Sequence, residues 1–146
     1  MIQFEGVETF TSAPAAVFAR LSDAGFVANS LPDAKVITAT PDRAEWRVKP
    51  KLPFLSGELE TVATVTERAD ETGIKYRLDS KGIGSGTVVE AALVLVAEGS
   101  GTKVNWTGSI TAMTGLMKLA PKGLVQGAAQ KVLADCWAAV RAKLDG

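Results

Sequence analysis

Few side chains in this sequence can move a proton or attack a carbon centre. Histidine is absent, which removes imidazole bases, the triads built on them and most zinc sites together. Carboxylates, lysines, one tyrosine (Tyr76) and one thiol (Cys136) remain. Alternation along the chain places nearly all the charged residues on the water-facing register. Tyr76 and Glu8 are then the candidate proton carriers for any reaction. Cys136 falls on the apolar stripe of a helix, where a thiol packs and does not react. No catalytic residue, metal or cofactor is expected, and binding residues are sought among apolar side chains.

Those side chains are carried mainly by strands. Ile2–Thr11, with Phe4, Val7 and Phe10, reads as a first strand. Ser12 or Ala13 followed by Pro14 marks a helix start, and Val17, Phe18 and Leu21 give that helix one apolar face. A second short helix over Ala24–Ser30 turns Phe26 and Val27 inward and stops before Pro32. Ala34–Thr40 is a strand with Pro41-Asp42 as its turn. Ala44, Trp46 and Val48 then alternate with Glu45, Arg47 and Lys49. Leu59, Thr61, Ala63 and Val65 oppose Glu58, Glu60, Thr64 and Thr66, and Ile74, Tyr76, Leu78 and Ser80 oppose Lys75, Arg77, Asp79 and Lys81. Thr87–Val96 is apolar on both faces. Turning Glu90 to water puts Val89, Ala91, Leu93 and Leu95 inside, and leaves Val88, Ala92, Val94 and Val96 as a candidate contact with a second copy. Val104, Trp106, Gly108 and Ile110 form the last inward set. The short connections Asp70–Gly73, Gly82–Gly86 and Gly99–Gly101 make the sheet an antiparallel meander.

A long amphipathic helix, Lys122–Leu144, closes the sequence. Its stripe runs through Val125, Ala129, Val132, Cys136 and Val140, flanked by Ala128, Leu133, Trp137 and Leu144. Pro121 either opens this helix or kinks it. Gly123 and Gly127 fall on the side away from the stripe. One helix cannot cover a sheet of about seven strands, so the sheet must curl around it and leave an apolar hollow. The fold class is α+β, a curved antiparallel sheet wrapped around a C-terminal helix with two short helices after strand 1.

The hollow is expected to be lined from the sheet by Trp46, Val48, Leu59, Ala63, Tyr76, Leu78, Val89, Leu93, Trp106 and Ile110. The helix adds Val125, Ala128, Ala129 and Val132, and the connection before it adds Met113 and Met117. For each residue taken singly, ordinary core packing is the competing account. As a set they leave volume, because alanines and Gly108 face aromatic rings. Thr61, Ser80, Thr87 and the Tyr76 hydroxyl are the few polar groups among them, and buried polar groups require partners. Leu52, Phe54 and Leu55 sit at a hairpin tip beside Lys51, where polar turn residues are the rule. They are candidates for a pocket entrance, a protein contact or a touch on a membrane surface, with packing against the domain's own helix as the competing account.

At 146 residues the chain reads as a single domain, 1–146, able to bury roughly 70% of its unfolded surface. Acidic and basic residues balance at 16 each, so no field gathers phosphates and no nucleic acid partner is expected. The first ten residues are neither a signal segment nor a membrane span, which predicts a soluble, cytoplasmic protein. Monomer and homodimer both remain open.

The order strand, two short helices, six strands and a long C-terminal helix resembles the helix-grip fold of the START/Bet v 1-like (SRPBCC) superfamily. Within it the chain is similar to the CoxG family, named for the G subunit of carbon monoxide dehydrogenase. The residues that carry this are Phe4-Glu5-Gly6-Val7, the helix start Ala13-Pro14-Ala15-Ala16-Val17-Phe18, Asn29-Ser30-Leu31-Pro32, and the closing helix from Leu124 to Leu144. The resemblance spans essentially the whole chain, although Asp33 stands where the family often has glycine after the proline. It implies a cytoplasmic, non-enzymatic binder of a hydrophobic small molecule, lipid or quinone-like, associated with molybdenum hydroxylases such as carbon monoxide dehydrogenase. Some relatives carry a longer tail, whose role is not carried over. Two other classes stay open: an enzyme like the polyketide cyclases and dehydratases of related folds, and a ligand-free module that assembles or recruits a redox enzyme.

Overall fold

The alternating segments become seven strands: β1 (Ile2–Phe10), β2 (Lys35–Ala39), β3 (Arg43–Val48), β4 (Leu59–Ala69), β5 (Gly73–Gly82), β6 (Ser85–Glu98) and β7 (Gly101–Gly115). The computed structural model describes residues 2–31, 33–49, 57–82 and 84–145, with Leu116 and Met117 described in backbone only. The expected tip residues Leu52, Phe54 and Leu55, and the side chain of Met117, thus lie outside the described residues. The strands make one antiparallel sheet in the order β1-β7-β6-β5-β4-β3-β2. Helices α1 (Pro14–Leu21) and α2 (Ala24–Ser30) follow β1, and α3 (Leu116–Leu119) and α4 (Lys122–Asp145) follow β7.

Three irregularities bend the sheet. Pairing skips Ile37 between β2 and β3, Thr66 between β4 and β5, and Thr111 between β6 and β7. Each extra residue adds a local kink and twist, which curls a flat meander into a grip. The bulge at Thr111 has a second effect. Ile110 pairs with Val89 and Met113 with Thr87, both on the inward register, so two residues of opposite parity face the same side. Met113 therefore belongs to the strand, and not to the connection after it.

Helix starts follow local chemistry only in part. The Asp23 carboxylate accepts from the Phe26 N–H at 3.1 Å and caps α2. Pro121 opens α4 and does not kink it, since its carbonyl accepts from Leu124 and Val125 at 3.0 and 3.1 Å. Ala13 occupies the cap of α1 with no side-chain bond. The neighbouring Ser12 hydroxyl donates to Asp145 at 3.1 Å, so a tertiary contact outcompetes the cap.

The core forms where α1, α2 and the C-terminal half of α4 meet the sheet. Val17, Ala24, Ala28, Ala44, Ile74 and Val104 are all buried there, with Trp137, Val140 and Leu144 from α4. Strand β1 turns Ile2, Phe4 and Phe10 inward. Val7 has the opposite parity and is 52% exposed, so it is not part of the apolar face its sequence neighbours form. Glycine at position 6 is required by close approach: a Cβ there would lie 2.7 Å from Cζ2 of Trp106. The Tyr76 hydroxyl donates to the Leu21 carbonyl at 2.5 Å and ties β5 to the end of α1. Tyr76→Phe should leave that buried carbonyl short of its partner and cost about 1–2 kcal/mol of stability. Urea unfolding monitored by circular dichroism, with an unchanged slope, checks this.

Candidate functional site

Strand register aligns the inward side chains in rows across the sheet. One row is Trp46, Thr61, Ser80, Thr87 and Met113. The next is Ala44, Ala63, Leu78, Val89, Ile110 and Ile2; the third is Val65, Tyr76, Ala91, Gly108 and Phe4. A fourth holds Ile74, Leu93, Trp106 and Gly6. Val48 and Leu59 pair beyond the first row. The expected sheet residues are thus brought to one concave face. Trp46, Ala63, Tyr76, Leu93 and Ile110 are buried, and Val48, Leu59, Leu78, Val89, Trp106 and Met113 are half-buried.

Helix α4 closes over this face unevenly. Its C-terminal half meets the sheet through Trp137, whose ring lies 6.0 Å from Trp106 and 6.3 Å from Phe10. Arg141 pairs with Glu8, donates to the Thr9 carbonyl at 3.2 Å and lies over the Phe10 ring. The N-terminal half rests on Ile2, Phe4 and Ile110 through Val125, with Ala129 and Leu133 beside it. Ala128 is half-buried. Val132 requires correction: it is 45% exposed and joins neither apolar cluster. Burial of Trp137 sets the rotation of the helix, and Val132 lies about 140° from it around a helix of 3.6 residues per turn. Leu133 takes the inward place, a residue that the sequence pattern assigns only to the flank of the stripe.

Space remains where this cover is thinnest. Gly108 is buried, yet among the described residues a Cβ built on it would meet no atom within 4 Å. Its row neighbour Ala91 is half-buried, and Trp106 and Ile110 flank it along β7. A buried backbone position with nothing over it is an apolar opening inside the grip, since filled interiors leave contacts at van der Waals distance. Two grooves lie elsewhere. One of about 550 Å³ is lined by Arg47, Glu58, Glu60, Lys81 and Thr114, and one of about 280 Å³ by Val62, Asp79, Val88 and Ala112 with Ser80 and Thr87 of the first row at its edge. Their side chains belong mostly to the outward register, carry both signs of charge and are open to water.

The groups able to do chemistry are engaged or silenced. Burial, then the charge of Asp23, pushes the Tyr76 phenol above its usual range, with Arg68 opposing. Its hydroxyl is already committed to Leu21. Glu8 does face inward, but Arg141 holds it. Burial, with Asp135 adding to it, pushes the Cys136 thiol up to about 11. Among the described residues no group of three or more histidines, cysteines, aspartates or glutamates stands close enough to hold a metal ion. The Cys136 shift predicts slow alkylation: the thiolate is scarce below pH 9, so iodoacetamide labelling at pH 7–8 should be far slower than for a free thiol. The rate should climb only as pH rises toward 11, readable by intact mass.

A family model for CoxG, the G subunit of carbon monoxide dehydrogenase, matches residues 6–145. None of the curated proteins matches this chain in sequence. Among solved structures, a conserved protein from Geobacillus kaustophilus is similar with a TM-score of 0.84 at 14% identity, covering 98% of this chain and 95% of that one. A START superfamily protein from Mycobacterium smegmatis gives 0.70 at 11% identity, over 97% and 96% of the two chains. Ara h 8.0201 gives 0.64 at 13% identity, over 98% and 97%. At such identities the likeness is one of fold, the helix-grip fold of the START and Bet v 1-like proteins. No helix among the described residues is long and apolar enough to cross a membrane. With its family model matched over nearly its whole length, the chain belongs to the carbon monoxide dehydrogenase CoxG family.

Proposed function

We propose that this chain, a single domain acting in the cytoplasm, is a non-enzymatic carrier of a hydrophobic small molecule, lipid or quinone-like, held between the sheet and α4. The observation that carries this reading is the open space over Gly108. It lies at a buried position on a face of alanines, aromatic rings and aliphatic side chains, where each Å² of ligand surface removed from water contributes ~25 cal/mol. Membership of the CoxG family and the START-like fold support a binding role. The family description names carbon monoxide dehydrogenase, and we read the carrier as serving that enzyme or another molybdenum hydroxylase.

A cyclase-like enzyme finds less support. Such a reaction needs a free proton carrier inside the space, and Tyr76 and Glu8 are both held by structural partners.

Gly108→Leu tests the carrier reading. The position has no left-handed backbone and, among the described residues, no atom within 4 Å of a Cβ, so the side chain can start into the space and the fold should keep its melting temperature within a few degrees. Organic extraction and native mass spectrometry of the wild-type protein should return a bound apolar molecule, and the variant should return none. An empty wild type, or a folded variant carrying the same load, overturns it.

A further inference from the structure

Several polar side chains that turn inward are matched within the fold. The Tyr76 hydroxyl donates to the Leu21 carbonyl, Thr61 and Ser80 bond to each other, and Glu8 is held by Arg141. The indole of Trp106 is not. Among the described residues, its Nε1 is the buried side-chain polar atom without a hydrogen-bond partner. A buried tryptophan N–H ordinarily finds an acceptor, so this one marks where an acceptor brought from outside gains most.

The position of the donor is as telling as its lack of a partner. Trp106 packs against both apolar clusters, the filled one under α1, α2 and the end of α4, and the thinner one under Val125 and Ala129. Its ring lies against Gly6, where a Cβ would stand 2.9 Å from Nε1, and 6.0 Å from the ring of Trp137. Gly108 is two residues further along β7 on the same face, so about 7 Å separates the two strand positions. The indole thus stands at the inner end of the opening. Nε1 is closed to water in the empty grip. The half of α4 above Phe4 and Ile110 rests on apolar contacts, so a small outward shift of this cover admits an acceptor without parting a charged pair.

Chemistry then fixes the class of group. An indole nitrogen donates and cannot accept, so the ligand must bring an oxygen with a free lone pair. A carboxylate would face the charge of Glu8, two residues from Gly6 along β1, and Arg141 is already spent on that charge. Taking an unpaired charge out of water is far more costly than taking a neutral carbonyl. We infer that the Trp106 indole N–H is the polar anchor of the ligand space. It receives the neutral carbonyl oxygen of a ketone or ester, while the apolar body of the molecule runs along β7 past Gly108 and Ile110. This rests on the carrier reading above and adds to it a donor, a head group and an orientation.

The test uses delipidated, isotope-labelled full-length protein at pH 8 and three probes of one chain length: tridecane, 2-tridecanone and tridecanoate. The Trp106 indole proton is identified by its magnetisation transfer to the Gly6 α protons, against which the ring lies. It should move downfield with 2-tridecanone, as a proton entering a hydrogen bond does, and should not with tridecane. Displacement of diphenylhexatriene gives the affinities, and wild-type protein should take the ketone more tightly than the carboxylate. Trp106→Phe keeps a ring and removes the donor. It should lose about fivefold to thirtyfold of the wild-type preference for 2-tridecanone over tridecane, the range expected for one sheltered hydrogen bond. The same proton shift with ketone and hydrocarbon overturns the inference, as does an unchanged preference in the variant or tighter binding of the carboxylate. Should Trp106→Phe fail to fold, the wild-type resonance alone decides. If wild-type protein binds none of the probes, the carrier reading itself fails; if it binds ketone and hydrocarbon alike, the carrier stands and the anchor falls.

Discussion

Aromatic rings set the distance between the sheet and its covering helix. The indole of Trp106 lies against Gly6, which has no Cβ to lift it, and stacks toward Trp137 of α4 at 6.0 Å. Phe10 completes the cluster on the far side of Trp137. Rings of this size hold a helix well clear of the strands beneath it. Two residues along β7, the inward position is Gly108, and beside it stands Ala91. Neither reaches across the gap that the indoles define. The opening over Gly108 is thus a consequence of placing the largest side chain next to the smallest under one rigid cover, and no separate device is needed to create it.

That cover is fastened at one end. Arg141 and Asp145, a turn apart, reach back to the end of β1 and the residues after it: Glu8, the Thr9 carbonyl, the Thr11 N–H and the Ser12 hydroxyl. Phe10 packs between these polar contacts and Trp137. The other end of α4 rests on Val125, Ala129 and Leu133, apolar contacts that among the described residues carry no such directional bonds. Contacts of that kind tolerate small sliding movements, whereas the polar ends fix orientation. The N-terminal half is thus the less directionally tethered of the two, and Met113 packs in its apolar cluster.

The sequence made the strands legible because a half-buried strand imposes a period of two on every residue, and composition alone then reveals it. The same logic located the concave set. What failed was whatever depends on a partner far along the chain. Glu8 was legible as a carboxylate off the water-facing register, but its engagement by Arg141, 133 residues later, was not. Ser12 leaves its helix uncapped for the sake of Asp145. Val132 and Leu133 are equally apolar, and only the seating of Trp137 decides which turns inward. Thr111 carries no signal of a bulge, yet its insertion moves Met113 onto the concave side. Periodicity reports that an element has a buried face; the rotation and register of that face are settled by tertiary contacts.

A concave face that is not filled must be tolerable when empty, and the polar row bears on how that is possible. An isolated buried hydroxyl would make the empty state costly, because its donor and acceptor would both lose water. Thr61 and Ser80 blunt that cost by bonding to one another at 2.9 Å. Their mutual bond leaves neither as a buried atom without a partner. Among the described residues that position falls to the indole Nε1 of Trp106, on the same concave face. The unmet polar demand of this face thus sits in the aromatic cluster beside Gly108 and not along the hydroxyl row. A lone indole N–H costs far less to leave unpaired than a buried charge would, which is why an uncharged inner face can stay open without unfolding the grip.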